Sequence, residues 1–148
     1  MDAAVSMASN FLPSGAVIVK ENYGPNKPED VIRSLGYETF KNKGQPKVVI
    51  LIDGGSASAS EILAGAMREQ GVATLVGTRS FGKGSVQELV DITPDTALKV
   101  TVARWLTPKG NSISSVGVTP DVEVKVTEDD IKAHKDPQMA KAVEILSK

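Results

Sequence analysis

The feature that most constrains this chain is the run Val48-Val49-Ile50-Leu51-Ile52, closed by Asp53-Gly54-Gly55. Five apolar residues, mostly β-branched, read as a strand buried on both faces. A helix follows over residues 58–70, with Ile62, Leu63, Ala66 and Met67 on one face and Gly71 as its stop. Residues 73–76 then form a second buried strand. Strand, helix, strand in that order predicts a right-handed βαβ unit and a parallel pair.

The rest of the chain arranges itself around this unit. Residues 2–12 read as a short amphipathic helix ended by Pro13-Ser14-Gly15, and residues 16–19 as a strand. Residues 21–44, rich in Asn, Pro, Lys and Gly, read as a surface excursion holding one short helical turn and one short strand. A glycine-bearing loop spans 77–84. Strands are predicted over 86–92, 98–106 and 122–126, a helix start at 127–130, and a final helix over 138–146. The 148 residues suffice for one domain, 1–148, with its own core.

Composition removes several function classes. There is no cysteine, hence no thiolate nucleophile or thiolate metal site. Seventeen basic against 18 acidic residues, without a long block of one sign, argue against nucleic acid or an anionic membrane as main partner. The longest apolar run is too short to span a bilayer, and the start lacks the features of a secretory signal. The only histidine, His134, lies in a polar stretch near the C-terminus. A Ser-His-Asp triad would have to use it.

Two segments carry candidate chemistry. Residues 53–61 read Asp-Gly-Gly-Ser-Ala-Ser-Ala-Ser-Glu: a buried strand, small residues, then a helix. Small residues admit a substrate backbone, and the unpaired N–H groups of a helix start favour developing negative charge. Ser58 is the candidate nucleophile, although Ser58-Ala59-Ser60-Glu61 equally fits a capping box. The G-x-S-x-G elbow is not matched, because Ala59-Ser60 follows Ser58.

The second segment, residues 77–87, reads Gly-Thr-Arg-Ser-Phe-Gly-Lys-Gly-Ser-Val-Gln. Glycines flanking Lys83 at a strand's entry cost stability unless something needs backbone room. Lys83, Ser85 and Gln87 would share a strand face. A solvated surface turn is the plain alternative. Gly77 to Lys83 also fits the first part of a P-loop, a remote nucleotide-binding reading, but Gly84 stands where that motif needs Ser or Thr.

Together the segments resemble the C-terminal processing (tail-specific) peptidases, Ser/Lys-dyad serine peptidases. That family pairs G-[ST]-A-S-A-S-E with an F-G-K-G segment whose lysine lies 25 positions after the serine, and a glutamine four further on. Ser58, Lys83 and Gln87 reproduce that spacing. Thr107-Pro108-Lys109-Gly110 and Gly117-Val118-Thr119-Pro120-Asp121 resemble the family's closing segments, and residues 2–13 the helix after its N-P-G-G turn.

The resemblance implies an α/β, crotonase-like core with a mixed sheet and flanking helices. It implies Ser58, Lys83 and Gln87 as catalytic residues, the Ala59 N–H as oxyanion donor, and neither metal nor cofactor. Glu61 is assigned to helix capping. A lysine must be uncharged to act as a base, which desolvation favours, and Phe81 is the expected apolar cover.

The implied substrates are unstructured C-terminal tails of other proteins, in an extracytoplasmic or plastid-lumenal setting. Asp53 departs from the asparagine frequent in the family. The N-P-G-G turn and the PDZ domain are missing from the sequence, which predicts a fragment with an incomplete oxyanion hole. Such a fragment could equally be a folded, inactive binding or scaffold domain. Apolar surface left open near residues 2–19 and 48–52 would favour self-association.

Overall fold

The computed structural model describes residues 1–40 and 44–148. The element order is α1 (Asp2–Ser9), β1 (Val17–Asn22), β2 (Asp30–Arg33), β3 (Val48–Ile52), α2 (Ala59–Glu69), β4 (Ala73–Gly77), β5 (Ser85–Thr93), β6 (Thr96–Leu106), β7 (Val122–Glu123), α3 (Glu128–Lys132) and α4 (Pro137–Leu146).

Parallel and antiparallel pairing divide between two sheets. The antiparallel sheet has the order β2-β1-β6-β5, and the parallel sheet β3-β4-β7. The predicted βαβ unit is present: β3 and β4 pair in parallel from Val48↔Ala73 to Ile52↔Gly77. That register ends both strands at the same level. The chain therefore leaves the parallel sheet twice at neighbouring points, after Ile52 and after Gly77, at the carboxyl edge where open α/β sheets bind ligands.

Helix α2 is the centre of the core. Ile62, Ala66 and Met67 pack with Ala8, Leu12, Ile18, Val19 and Ile113. On another side Ala64 packs with Ile52, Leu75 and Val118. The sequence suggested one apolar face, yet the helix is enclosed on two. Gly65 makes this feasible: a Cβ there would stand 3.3 Å from the Thr107 methyl. Each fully buried aliphatic side chain contributes about 1.5–3 kcal/mol, so this helix is anchored far more firmly than its length alone would allow.

The departures from expectation are local. The first helix stops at Ser9, whose Oγ donates to the Val5 carbonyl and accepts the Leu35 N–H. Of the short elements expected within residues 21–44, the strand is β2; residues 41–43 lie outside the described residues. The strand expected over 122–126 is reduced to β7, whose pairing with β4 covers Val122 and Glu123.

The expected open surface is also displaced. Ile18, Val19 and Ile52 are buried, and Met7 is the large exposed apolar residue of the two predicted stretches. The β5–β6 hairpin instead exposes Leu89, Ile92 and Leu98. No helix among the described residues is long and apolar enough to cross a membrane.

Candidate active site

Asp53 shapes the loop after β3. Its Oδ1 accepts the N–H groups of Gly55 (2.9 Å) and Ser56 (3.1 Å), and Ser56 Oγ donates to the same oxygen at 3.2 Å. An asparagine carbonyl could accept the same bonds, so the aspartate preserves the turn. The loop delivers Ser58 to the N-terminus of α2 with φ 57° and ψ −118°. That is the left-handed side of the backbone map, disfavoured for any residue with a Cβ at about 1–3 kcal/mol.

The expected capping box is present: the Glu61 carboxylate accepts the Ser58 N–H at 2.9 Å, and the Ser58 side chain faces the Glu61 N–H. The Glu61 N–H also bonds to the Ser58 carbonyl at 2.9 Å. The neighbouring Ala59 N–H, first in the helix, has no acceptor among the described residues. It is one of the orphan donors that a helix start presents.

The loop after β4 lies against this one. Thr78 N–H donates to the Ile52 carbonyl at 2.9 Å, and Phe81 N–H to the Ser56 carbonyl at 2.9 Å. Glu61, only 1% exposed, joins the two loops. Its Oε2 accepts the N–H groups of Ser58 and Lys83, each at 2.9 Å. Its Oε1 accepts the Gly82 N–H at 2.7 Å and the Ser80 hydroxyl at 2.5 Å. One carboxylate oxygen therefore holds the backbones of both candidate dyad residues.

The room needed beside Lys83 is taken by protein. A Cβ on Gly84 would come within 2.4 Å of Ser114 N, and one on Gly82 within 3.0 Å of Gly117 N. The backbone of residues 113–117 runs along the lysine loop and bonds to it from Ser115 N–H to the Gly82 carbonyl. Beyond Gly84 the chain enters β5, where an extra residue on β6, Val102, breaks the register at Val86/Gln87. A P-loop requires a helix at that point, and the strand removes the nucleotide-binding reading.

Side-chain placement differs from expectation in one respect. Lys83 and Gln87 are exposed, and Phe81 is 66% exposed. Phe81 uses its backbone to brace the Ser58 loop while the residue stays largely in solvent, so it is not the apolar cover expected for Lys83. No hydrogen bond joins Ser58 Oγ to Lys83 Nζ. Sequence reasoning missed the reach of Glu61, whose partners on the second loop lie 19 to 22 positions away. The available signal was an acidic residue flanked by Ile62 at the start of a helix with apolar residues on its inner face. His134 sits in the turn between α3 and α4, its N–H bonded to the Ile131 carbonyl.

Known proteins resemble this chain in sequence and fold. The profile of peptidase family S41 matches residues 1–124. A carboxy-terminal-processing protease of Bartonella bacilliformis is 41% identical over 128 residues, spanning 84% of this chain and 28% of that protein. The chloroplastic carboxyl-terminal-processing peptidase 3 of Arabidopsis thaliana is 51% identical over 76 residues, or 51% of this chain and 15% of that protein.

The solved photosystem II D1 C-terminal processing protease superposes with a TM-score of 0.73 at 34% identity, covering 84% of this chain and 31% of that one. A Parabacteroides merdae protein at 20% identity shares the fold over 97% of this chain, TM-score 0.78. The chain spans about a quarter of the length of the first curated relatives it matches. With the family profile covering most of its residues, this chain belongs to peptidase family S41.

Proposed function

We propose that residues 1–148 form a crotonase-like catalytic core for endoproteolysis of protein C-terminal tails, with Ser58 as nucleophile and Lys83 as general base. The observation that carries the reading is the sharing of Glu61 Oε2 by the Ser58 and Lys83 amides, beside a serine held at positive φ at the start of α2.

In this mechanism Lys83 Nζ takes the proton of Ser58 Oγ as the oxygen attacks the scissile carbonyl carbon. The Ala59 N–H stabilises the oxyanion. The carbon–nitrogen bond breaks, and Lys83 returns the proton to the departing amine. Water then attacks the acyl ester, giving one proton through Lys83 back to Oγ and releasing the acid. Gln87, on the strand that leaves the lysine loop, orients the Lys83 amine.

Lys83 lies exposed, so productive chemistry requires cover over it from substrate or from other parts of a longer enzyme. The same applies to a second oxyanion donor. The relatives named for bacterial and chloroplastic processing support an extracytoplasmic or lumenal setting.

A fluorophosphonate probe tests the reading. Ser58 is expected to become labelled, and Ser58→Ala and Lys83→Ala to abolish labelling. A folded chain that stays unlabelled, alone and within the longer enzyme, would instead support an inert binding domain.

A further inference from the structure

The Ser80 hydroxyl, within the lysine segment, links the Glu61 carboxylate to the Gly117–Asp121 motif, to which the chemistry above gives no role. Ser80 is 6% exposed. Its Oγ accepts the Val118 N–H at 2.7 Å and lies 2.5 Å from Glu61 Oε1. A hydroxyl carries one proton. Because Val118 N–H is the donor on one side, that proton must point to Glu61. The chain of bonds therefore has a fixed sense, from Val118 N–H to Ser80 O–H to the carboxylate, and each bond polarises the next.

Glycine at position 117 is what lets this chain of bonds close. A Cβ there would stand 2.4 Å from the Ser80 carbonyl oxygen and 2.9 Å from Ser80 Oγ. Only a bare backbone, here at φ 68°, brings the Val118 amide to the hydroxyl. A second bond, Ser80 N–H to the Val118 carbonyl at 3.1 Å, locks the pair reciprocally.

Glu61 has no ion-pair partner among the described residues. Its charge is balanced by four donors: two on Oε1 from Ser80 and Gly82, two on Oε2 from Ser58 and Lys83. Removing the Ser80 donor leaves three donors on the carboxylate and loosens its orientation, and any turn that follows moves Oε2 relative to both amides at once.

We propose that Ser80 is a positioning residue for the peptidase centre: anchored by the Val118 amide, it fixes the Glu61 carboxylate so that one oxygen sets the spacing of the nucleophile and base backbones. This rests on the Ser58/Lys83 reading and deepens it. Ser80 touches neither substrate nor reacting atoms.

The test is the rate of fluorophosphonate labelling at Ser58, measured in the longest active form of the enzyme with melting temperature alongside. Lys83→Ala is the control for the dyad: if it labels like the wild type, the dyad reading fails and the hub is not at issue. With that control in place, Ser80→Ala is expected to lower the labelling rate at least about tenfold, the loss of a charge-assisted bond. Ser80→Thr, which keeps the hydroxyl, is expected to restore most of it.

Hydrogen exchange on the wild type gives a readout that needs no variant to fold. The amides of Ser58, Gly82, Lys83 and Val118 should be protected with one common opening rate. A folded Ser80→Ala labelling at the wild-type rate, or a Lys83 or Ser58 amide exchanging like a free loop residue, overturns the proposal.

Discussion

Replacing Gly84 by alanine isolates the contact that seats the lysine loop. Gly84 is buried, and an added Cβ would meet Ser114 N at 2.4 Å, Ser114 Oγ at 2.7 Å and the Ile113 carbonyl carbon at 2.8 Å. Two of these are backbone atoms held by their own bonds, so no side-chain rotation relieves the clash. Ordinary contacts lie near 3.5 Å, so the two backbone segments must part by about 1 Å. That movement works against the Trp105 N–H to Gly84 carbonyl bond at 2.8 Å.

Overpacking of this kind costs about 1–3 kcal/mol, which for a chain of this size lowers the melting temperature by roughly 2–10 °C. Lys83 moves with its neighbour. A displacement of 1 Å at a reacting group costs about a hundredfold in rate. Thermal melts and Ser58 labelling measure the two effects. Gly54→Ala serves as the stability comparison, because nothing lies within 4 Å of its added Cβ. A Gly84→Ala chain melting within about 1 °C of wild type, with unchanged labelling, would refute the assignment of that glycine to backbone packing.

Lys83→Arg should abolish turnover in the longer enzyme, since guanidinium stays protonated, and wild-type activity should rise with pH as a neutral lysine becomes available; appreciable turnover by the variant would assign the base elsewhere. Glu69→Ala should destabilise the fold by about 1–3 kcal/mol in thermal or urea melts, because its carboxylate accepts from Thr107 Oγ1, Lys109 N and Asn111 Nδ2 at 2.7–2.9 Å. Glu144 is held down to about 2 from an ordinary 4.5, first by its hydrogen bond from Lys141 and then by that from Lys148. A depressed carboxylate stabilises the folded form above its unfolded value and ceases to as pH falls through the folded one. The last turn of α4 should therefore fray between about pH 4.5 and pH 2, which amide exchange of Ser147 would show.

The elements that were legible in the sequence are those whose cause is local. Val48–Ile52 and Ala73–Gly77 have little choice but to be buried strands, and the helix between them carries its own stop. Once these were parallel, both candidate loops had to leave the same edge. What was not legible depends on non-local partners. The two-sided enclosure of α2 needs Val118 and Thr107 brought from the far end of the chain. The glycines around Lys83 signalled that room was needed, but not that residues 113–117 would fill it. Exposure of Lys83 could not be read from a neighbouring phenylalanine, because Phe81 spends its backbone, not its ring, on the site.

Ser58 shows why a capping signature and a nucleophile signature coincide in one tetrapeptide. An ordinary serine cap accepts the N–H three residues on with its hydroxyl oxygen, worth about 1 kcal/mol, and keeps its own proton. Here the Ser58 side chain faces the Glu61 N–H, which also bonds to the Ser58 carbonyl, while the Glu61 side chain closes the box on the Ser58 N–H. Ser58 does this at positive φ, and a strained cap without compensation would relax. The compensation comes from the same carboxylate, which cannot release the Ser58 amide without also giving up its hold on Gly82 and Lys83. The helix end and the lysine loop thus stabilise each other, and the serine oxygen, an acceptor in the cap, keeps its own proton for a base to take.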